Sequence, residues 1–165
     1  MEKKDLDNTS YSLYTLVGNK GIPDKLKNIY YFIDNRGEIP VKEFINGLSV
    51  SERTKVFAYL KELKNKGSDL HRPLADYLGH GIYELRPKAN RIFYFFFLKD
   101  SAILVHAIRK KTDRVPLRDL EVCIKRKYIA EEYTAIEKID LWKGGFNGKS
   151  KIREYKHSFT GGVKK

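Results

Sequence analysis

The chain has 165 residues, with 33 Lys and Arg against 21 Asp and Glu, a formal charge of +12 and a pI near 9.6. That length gives one domain plus tails with a core that needs no staples, and the single cysteine, Cys123, excludes a disulfide framework and a cysteine-based zinc site. The basic balance favours a polyanion as partner, with nucleic acid first, over the plainer reading of a solvated, lysine-rich surface.

Residues 1–27 mix charge, Asn, Gly and Tyr without a period and read as an N-terminal extension. They contain no apolar signal-peptide core, and the longest apolar run, residues 92–98, is too short to span a bilayer. A cytoplasmic protein with no membrane partner is the expectation. Residues 29–33 then read as a first strand. Asn35-Arg36-Gly37-Glu38 makes a turn, and Pro40 suits a first helical position, with Val41, Phe44, Ile45 and Leu48 at helical spacing. Ser49-Val50-Ser51-Glu52 fits a capping box for a second helix, striped by Val56, Phe57, Leu60 and Leu63 and stopped at Gly67. Residues 70–79 read as a connector.

The stretch that follows, residues 81–98, reads as two antiparallel strands joined by a turn at residues 87–90. A four-residue loop sets Arg86 opposite Arg91, Glu84 opposite Phe93 and Ile82 opposite Phe95. Opposed arginines cost stability unless an anion bridges them, and a phosphate matches their donor forks. Residues 103–110 return as a third strand after a turn at 99–102. Pairing Leu98 with Ile103 places Lys110 opposite Arg91 and His106 opposite Phe95, so Arg86, Arg91 and Lys110 line one end of a mixed, partly open face. The other face, with Tyr83, Leu85, Ile92, Tyr94, Phe96, Leu98, Ile103, Val105 and Ala107, is apolar and calls for a helical lid.

Residues 109–116 form a cationic loop that ends in Pro116. A third helix follows with Leu117, Leu120, Ile124 and Tyr128 as its stripe, running to about residue 133. Residues 134–165 hold eight Lys or Arg against three Asp or Glu, with several glycines, and read as a flexible basic tail anchored at most by Trp142 and Phe146. The expected organisation is thus an extension at 1–27, a domain at 28–133 and a tail at 134–165.

Metal-free RNA cleavage needs a base for the 2′-hydroxyl, an acid for the 5′-oxygen and positive charge on the phosphorane-like transition state. Arg86, Arg91, Lys110 and Lys111 supply the charge, and Lys88, Arg109 and Arg114 extend it along an RNA-binding surface. Acid and base stay open between His106, which titrates near neutrality, and a lysine such as Lys110 or Lys111. A buried structural role for His106 competes with catalysis. Glu84, the one acid on the cationic face, reads as a salt-bridge partner of Arg86 or Arg91. The acids are scattered, so no metal site is expected, and no glycine-rich loop precedes a helix to hold a nucleotide cofactor.

In order and spacing, Gly81-Ile82-Tyr83-Glu84-Leu85-Arg86, Arg91-Ile92-Phe93-Tyr94 and His106-Ala107-Ile108-Arg109-Lys110-Lys111-Thr112 with Pro116 resemble the phage-derived, HigB-like branch of the RelE/ParE toxin superfamily. The resemblance covers about residues 28–133. It implies an α+β, RelE-like fold: an N-terminal strand and two helices, a three-strand antiparallel meander and a C-terminal helix, with the helices packed on one sheet face. It also implies a type II toxin that cuts mRNA, usually on the ribosome, and is neutralised by a cognate antitoxin carrying a helix-turn-helix domain. No cofactor is implied. Arg91 matches the family arginine on the scissile phosphate, Arg86 the strand arginine, and Lys110 and Lys111 the basic loop. The RelE branch carries lysines where this chain has Ile82 and Glu84, and Leu117 stands near the place of its C-terminal tyrosine, so that branch's proton-transfer set is not available unchanged. A ParE-like gyrase poison, or an inactive phage-derived nucleic-acid-binding protein, are the alternatives on the same fold.

Overall fold

The computed structural model describes residues 25–132, 134–139, 141 and 152–155. The N-terminal extension through residue 24, and Trp142 and Phe146 of the tail, lie outside them. The architecture is mixed α+β. Its elements are β1 (Asn28–Phe32), α1 (Pro40–Asn46), α2 (Val50–Lys66), β2 (Ala75–Gly79), β3 (Ile82–Leu85), β4 (Asn90–Phe97), β5 (Ser101–Arg109), α3 (Leu117–Glu132), β6 (Thr134–Lys138) and β7 (Ile152–Tyr155). The sheet order is β2-β3-β4-β5-β1-β6-β7. Among the described residues, only β1 and β5 pair in parallel.

Local chemistry sets the helix ends. Pro40 opens α1, where its missing N–H costs nothing. Ser49 caps α2: its hydroxyl accepts the Glu52 N–H and meets the Glu52 carboxylate at 3.1 Å, the capping box expected from sequence. Gly67 ends α2 with φ +48°, in the left-handed region where a side chain is disfavoured.

Helices α1 and α2 cover one sheet face. Val41, Ile45, Val56, Leu60 and Leu63 pack there on Ile29, Leu85, Ile92, Tyr94 and Leu104. The opposite face was expected to be partly open, with all helices on one side, and here the structure differs. Helix α3 covers that face, burying Phe93, Phe95, Phe97, Ile103 and Val105 against Cys123 and Ala130. The buried stripe of α3 is built on small residues because the sheet supplies the bulk, and large against small closes the gap. Leu117 and Tyr128, expected to face the core, are 70% and 68% exposed.

The β3–β4 register is the expected one, with Glu84 opposite Phe93. The β4–β5 register is not. Its loop closes earlier, with Phe97 opposite Ser101, so Arg91 pairs with Ile108 and Phe93 with His106, two residues away from expectation. The partner of Tyr94 is then Leu104, which leaves Val105 as an extra residue in a β-bulge. The bulge moves Ile103 and Val105 onto the α3 face while His106 keeps the face it was assigned. Three further strands were unforeseen. β2 lies within the expected connector and pairs with β3, and β6 continues the sheet beyond residue 133 by pairing with β1, with β7 paired to it in turn. Among the described residues, no helix is long and apolar enough to cross a membrane.

The sheet beneath α3 and the outer face of that helix give a direct stability test. Ile103→Ala, at a fully buried position, is expected to lower the unfolding free energy by about 2–5 kcal/mol, and Leu117→Ala to change it by no more than about 0.5 kcal/mol, measured by chemical denaturation.

Candidate functional site

The site is built at the end of the sheet where β3 turns into β4. The Asn90 N–H closes the turn on the Pro87 carbonyl, and Lys88 at its tip takes φ +57°. Arg91 wraps the turn from inside. Its Nη1 donates to the carbonyls of Lys88 at 2.7 Å and Asn90 at 2.8 Å. The Arg86 N–H instead joins the Leu74 carbonyl, ahead of β2, which holds the far side of the turn to the sheet.

Between the two arginines lies Glu84. Its Oε2 accepts from Arg86 Nη1 at 3.0 Å, and its Oε1 stands 3.6 Å from Arg91 Nε without a hydrogen bond. The anion that bridges the arginine pair is therefore an internal carboxylate, where sequence reasoning had asked for an external phosphate. Burial pushes the Glu84 carboxyl up, and the charges of Arg86 and Arg91 pull it back. Burial, with the repulsion of Arg86, also draws Arg91 below the ordinary arginine value.

Facing this hairpin end is the loop after β5. Together they enclose a cleft of about 340 Å³, near the lower end of ligand pockets. Six cationic side chains (Arg91, Arg109, Lys110, Lys111, Arg114 and Arg118) line it with three acidic ones (Glu84, Asp113 and Asp119). Lys110 meets Asp113 at 3.1 Å, but Asp113 is fully exposed, so this pair restrains the lysine only weakly. The Lys110 N–H reaches the Ala89 carbonyl, tying the cationic loop to the β3–β4 turn. Arg109 leans the other way and binds Glu52 at the start of α2 at 2.8 Å.

Behind the cleft, the β-bulge organises a second set of groups. The carbonyl of bulged Val105 accepts from Arg126 Nη1 at 2.7 Å, and the same Nη1 stands 3.3 Å from His106 Nδ1. An arginine can only donate, so Nδ1 must accept and the His106 proton resides on Nε2. Nε2 therefore donates to Asp119 Oδ1 at 2.9 Å, fixing that carboxylate at the cleft wall. His106 also stacks on Phe93, with ring centroids 5.7 Å apart. Burial draws its pKa below 6.5, the nearby Arg126 charge acting in the same sense against the pull of Asp119. Cys123 is buried beside this group with its thiol pushed up to about 12, which leaves it unreactive.

Of the residues singled out from sequence, the structure gathers Arg91, Arg109, Lys110, Lys111 and Arg114 around one cleft. Arg86 is joined to it through Glu84. His106 is one residue removed, behind Asp119, with both ring nitrogens engaged. Lys88 is exposed at the turn tip and is not among the lining residues. Sequence reasoning missed Arg118 and Asp119, and missed that Arg126 reaches back to the sheet. Asp119 carried a signal, an acid in the first turn of a helix opened by Pro116, whereas Arg126 is legible only once the bulge is seen. Among the described residues, no three His, Cys, Asp or Glu side chains form a group that could hold a metal ion.

Sheet, helices and cleft define a small α+β protein with a cationic site at one sheet end. The chain belongs to the family described as phage-derived protein Gp49-like (DUF891), whose model matches residues 43–128. The match takes in the end of α1, all of α2, the whole meander, the basic loop and most of α3. No curated protein matches the chain.

The histidine makes a pH prediction. Because its folded pKa lies below 6.5, the unfolded chain binds more protons between the two values, so stability rises with pH there. The contribution is complete above pH 6.5 and is lost as pH falls toward the folded value. Denaturation midpoints followed across pH 5 to 7 (the range about the ordinary histidine value) should show a slope that His106→Gln flattens. An unchanged slope in the variant would assign it to other groups.

Proposed function

We propose that this phage-derived chain is the toxin of a toxin–antitoxin pair and that its cleft holds an RNA phosphodiester and cleaves mRNA. Membership of the Gp49-like family, which belongs to the RelE/HigB-like toxin superfamily, supports the toxin reading. The single observation that supports the chemistry is the cleft itself, where Arg91, Lys110 and Lys111 surround a space with a positive balance of side chains.

Cleavage here is attack by the 2′-oxygen on the adjoining phosphorus. The O2′–P bond forms and the P–O5′ bond breaks, leaving a 2′,3′-cyclic phosphate and a 5′-hydroxyl. Charge builds on the non-bridging oxygens in the transition state, and fixed donors in a partly dehydrated site stabilise it without rearranging. Arg91 is pre-oriented for this by its two turn carbonyls. Lys110 and Lys111, on the more exposed wall, are free to follow the phosphate, and Arg114 and Arg118 extend the track for flanking nucleotides. Lys88 and Arg109 widen the basic surface on either side. In this reading His106 acts through Asp119, holding it in place, and transfers no proton itself.

The partners that follow are mRNA, taken on the ribosome during translation, and a cognate helix-turn-helix antitoxin that covers the cleft. The working compartment is the cytoplasm.

The test is a cleavage assay on mRNA under translation, run beside a DNA gyrase supercoiling assay. Wild type should cut RNA and leave supercoiling unchanged. Lys110→Ala with Lys111→Ala should slow cutting by roughly 10²-fold, the loss typical of transition-state charge stabilisation, and should flatten the salt dependence of RNA binding. Inhibition of gyrase without RNA cutting would overturn the reading.

A further inference from the structure

Resting on the reading of the cleft as an RNase site, we propose that Glu84 is its general base, taking the 2′-hydroxyl proton on Oε1. The two oxygens of this carboxylate are unlike. Oε2 is anchored by Arg86 at 3.0 Å, while Oε1 has no hydrogen-bond partner among the described residues although Glu84 is only 4% exposed. A buried carboxylate oxygen without a hydrogen bond is costly, and beside a cleft a proton arriving with a ligand offsets that cost.

The other candidates are spoken for. Both ring nitrogens of His106 are engaged, Asp119 already accepts the His106 proton on Oδ1, and Lys110 and Lys111 stand on the more exposed wall, where they serve the phosphate. Glu84 also stands where a base belongs, 3.6 Å from Arg91 Nε. When the 2′-hydroxyl gives its proton to Oε1, Glu84 becomes neutral and negative charge passes to the phosphorane oxygens. Arg91, until then balanced by Glu84, is left to face that new charge. The O2′–P bond forms, the P–O5′ bond breaks, and the departing 5′-oxygen takes a proton from water at the open mouth of the cleft. Glu84 then returns its proton to solvent.

The charged groups facing Glu84 set its working range. Arg86 and Arg91 favour the ionised form, while burial opposes it. Asp76, directly across the β2–β3 pairing, also opposes it, though it is itself held by Arg72 at 2.7 Å. Lys110 and Asp119 face it from the other wall of the cleft. The balance leaves a carboxyl group raised above the ordinary glutamate value, and so more basic than a solvated one.

The experiment compares wild type, Glu84→Gln and Glu84→Asp in the full chain. Cleavage of translated mRNA is measured against pH, and binding of an all-2′-O-methyl RNA oligonucleotide is measured separately. The expected result for Glu84→Gln is a loss of at least about 10²-fold in cleavage with RNA held as tightly as by wild type or tighter, since a negative charge leaves the cleft. The acidic limb of the rate profile, present in wild type, should vanish. Glu84→Asp keeps the charge but retracts it, and should keep the limb while cutting roughly 10²-fold more slowly. Glu84→Gln cutting at the wild-type rate overturns the assignment and leaves the RNase reading standing. Wild type that binds RNA and never cuts it overturns both. If Glu84→Gln does not fold, Glu84→Asp decides alone, and a wild-type rate in that variant overturns the proposal.

Discussion

One buried carboxylate holds the working end of this protein together. Glu84 lies between two guanidinium groups that the β3–β4 hairpin forces onto the same end of one sheet face. Without it, Arg86 and Arg91 would repel each other across a turn that must stay tight for Arg91 to reach the Lys88 and Asn90 carbonyls. Burying charge is expensive, and a buried ion group is weak evidence for stability, because an apolar replacement often does as well. What such a group supplies is position. Its presence at a cleft, where an apolar cluster would have been the easier solution, is the physical reason to read this end of the sheet as functional.

The β-bulge at Val105 plays the matching part on the other wall. An extra residue leaves one strand carbonyl without its ladder partner, and Arg126 of α3 supplies the missing donor. The same guanidinium dictates the tautomer of His106, and His106 in turn dictates the orientation of Asp119. A chain of directed hydrogen bonds therefore runs from a fault in the sheet to the mouth of the cleft. It also clamps α3 over the phenylalanine-rich face, where Arg126 lies 5.8 Å above the Phe32 ring. Fold and site share these contacts.

Much of this was legible in the sequence wherever local chemistry decided the outcome. The α2 capping box, Pro40, Gly67 and the pairing of Glu84 with Phe93 follow from neighbours a few residues apart. The cleft residues Arg91, Lys110 and Lys111 were legible too, because a two-residue register shift preserves which face a side chain occupies. What escaped depended on distant partners. The bulge has no glycine or proline to announce it, and β2 exists because β3 offers it an edge. The buried stripe of α3 was hidden because Cys123 and Ala130 are poor hydrophobic markers until four phenylalanines on the sheet are known to need small neighbours. Glu84 was noticed as a salt-bridge partner. That one of its oxygens has no hydrogen bond among the described residues is a fact of three dimensions alone.

The account stands or falls on where RNA sits. Titrating labelled protein with a non-cleavable 2′-O-methyl RNA and following side-chain NMR signals tests this most directly. The account predicts that the Arg91 guanidinium, the Lys110 and Lys111 ammonium groups and the Glu84 carboxyl respond together and saturate at one RNA concentration, with added salt reversing the change. Perturbations confined to the exposed side of α3 around Tyr128, with the four cleft residues silent, would contradict it.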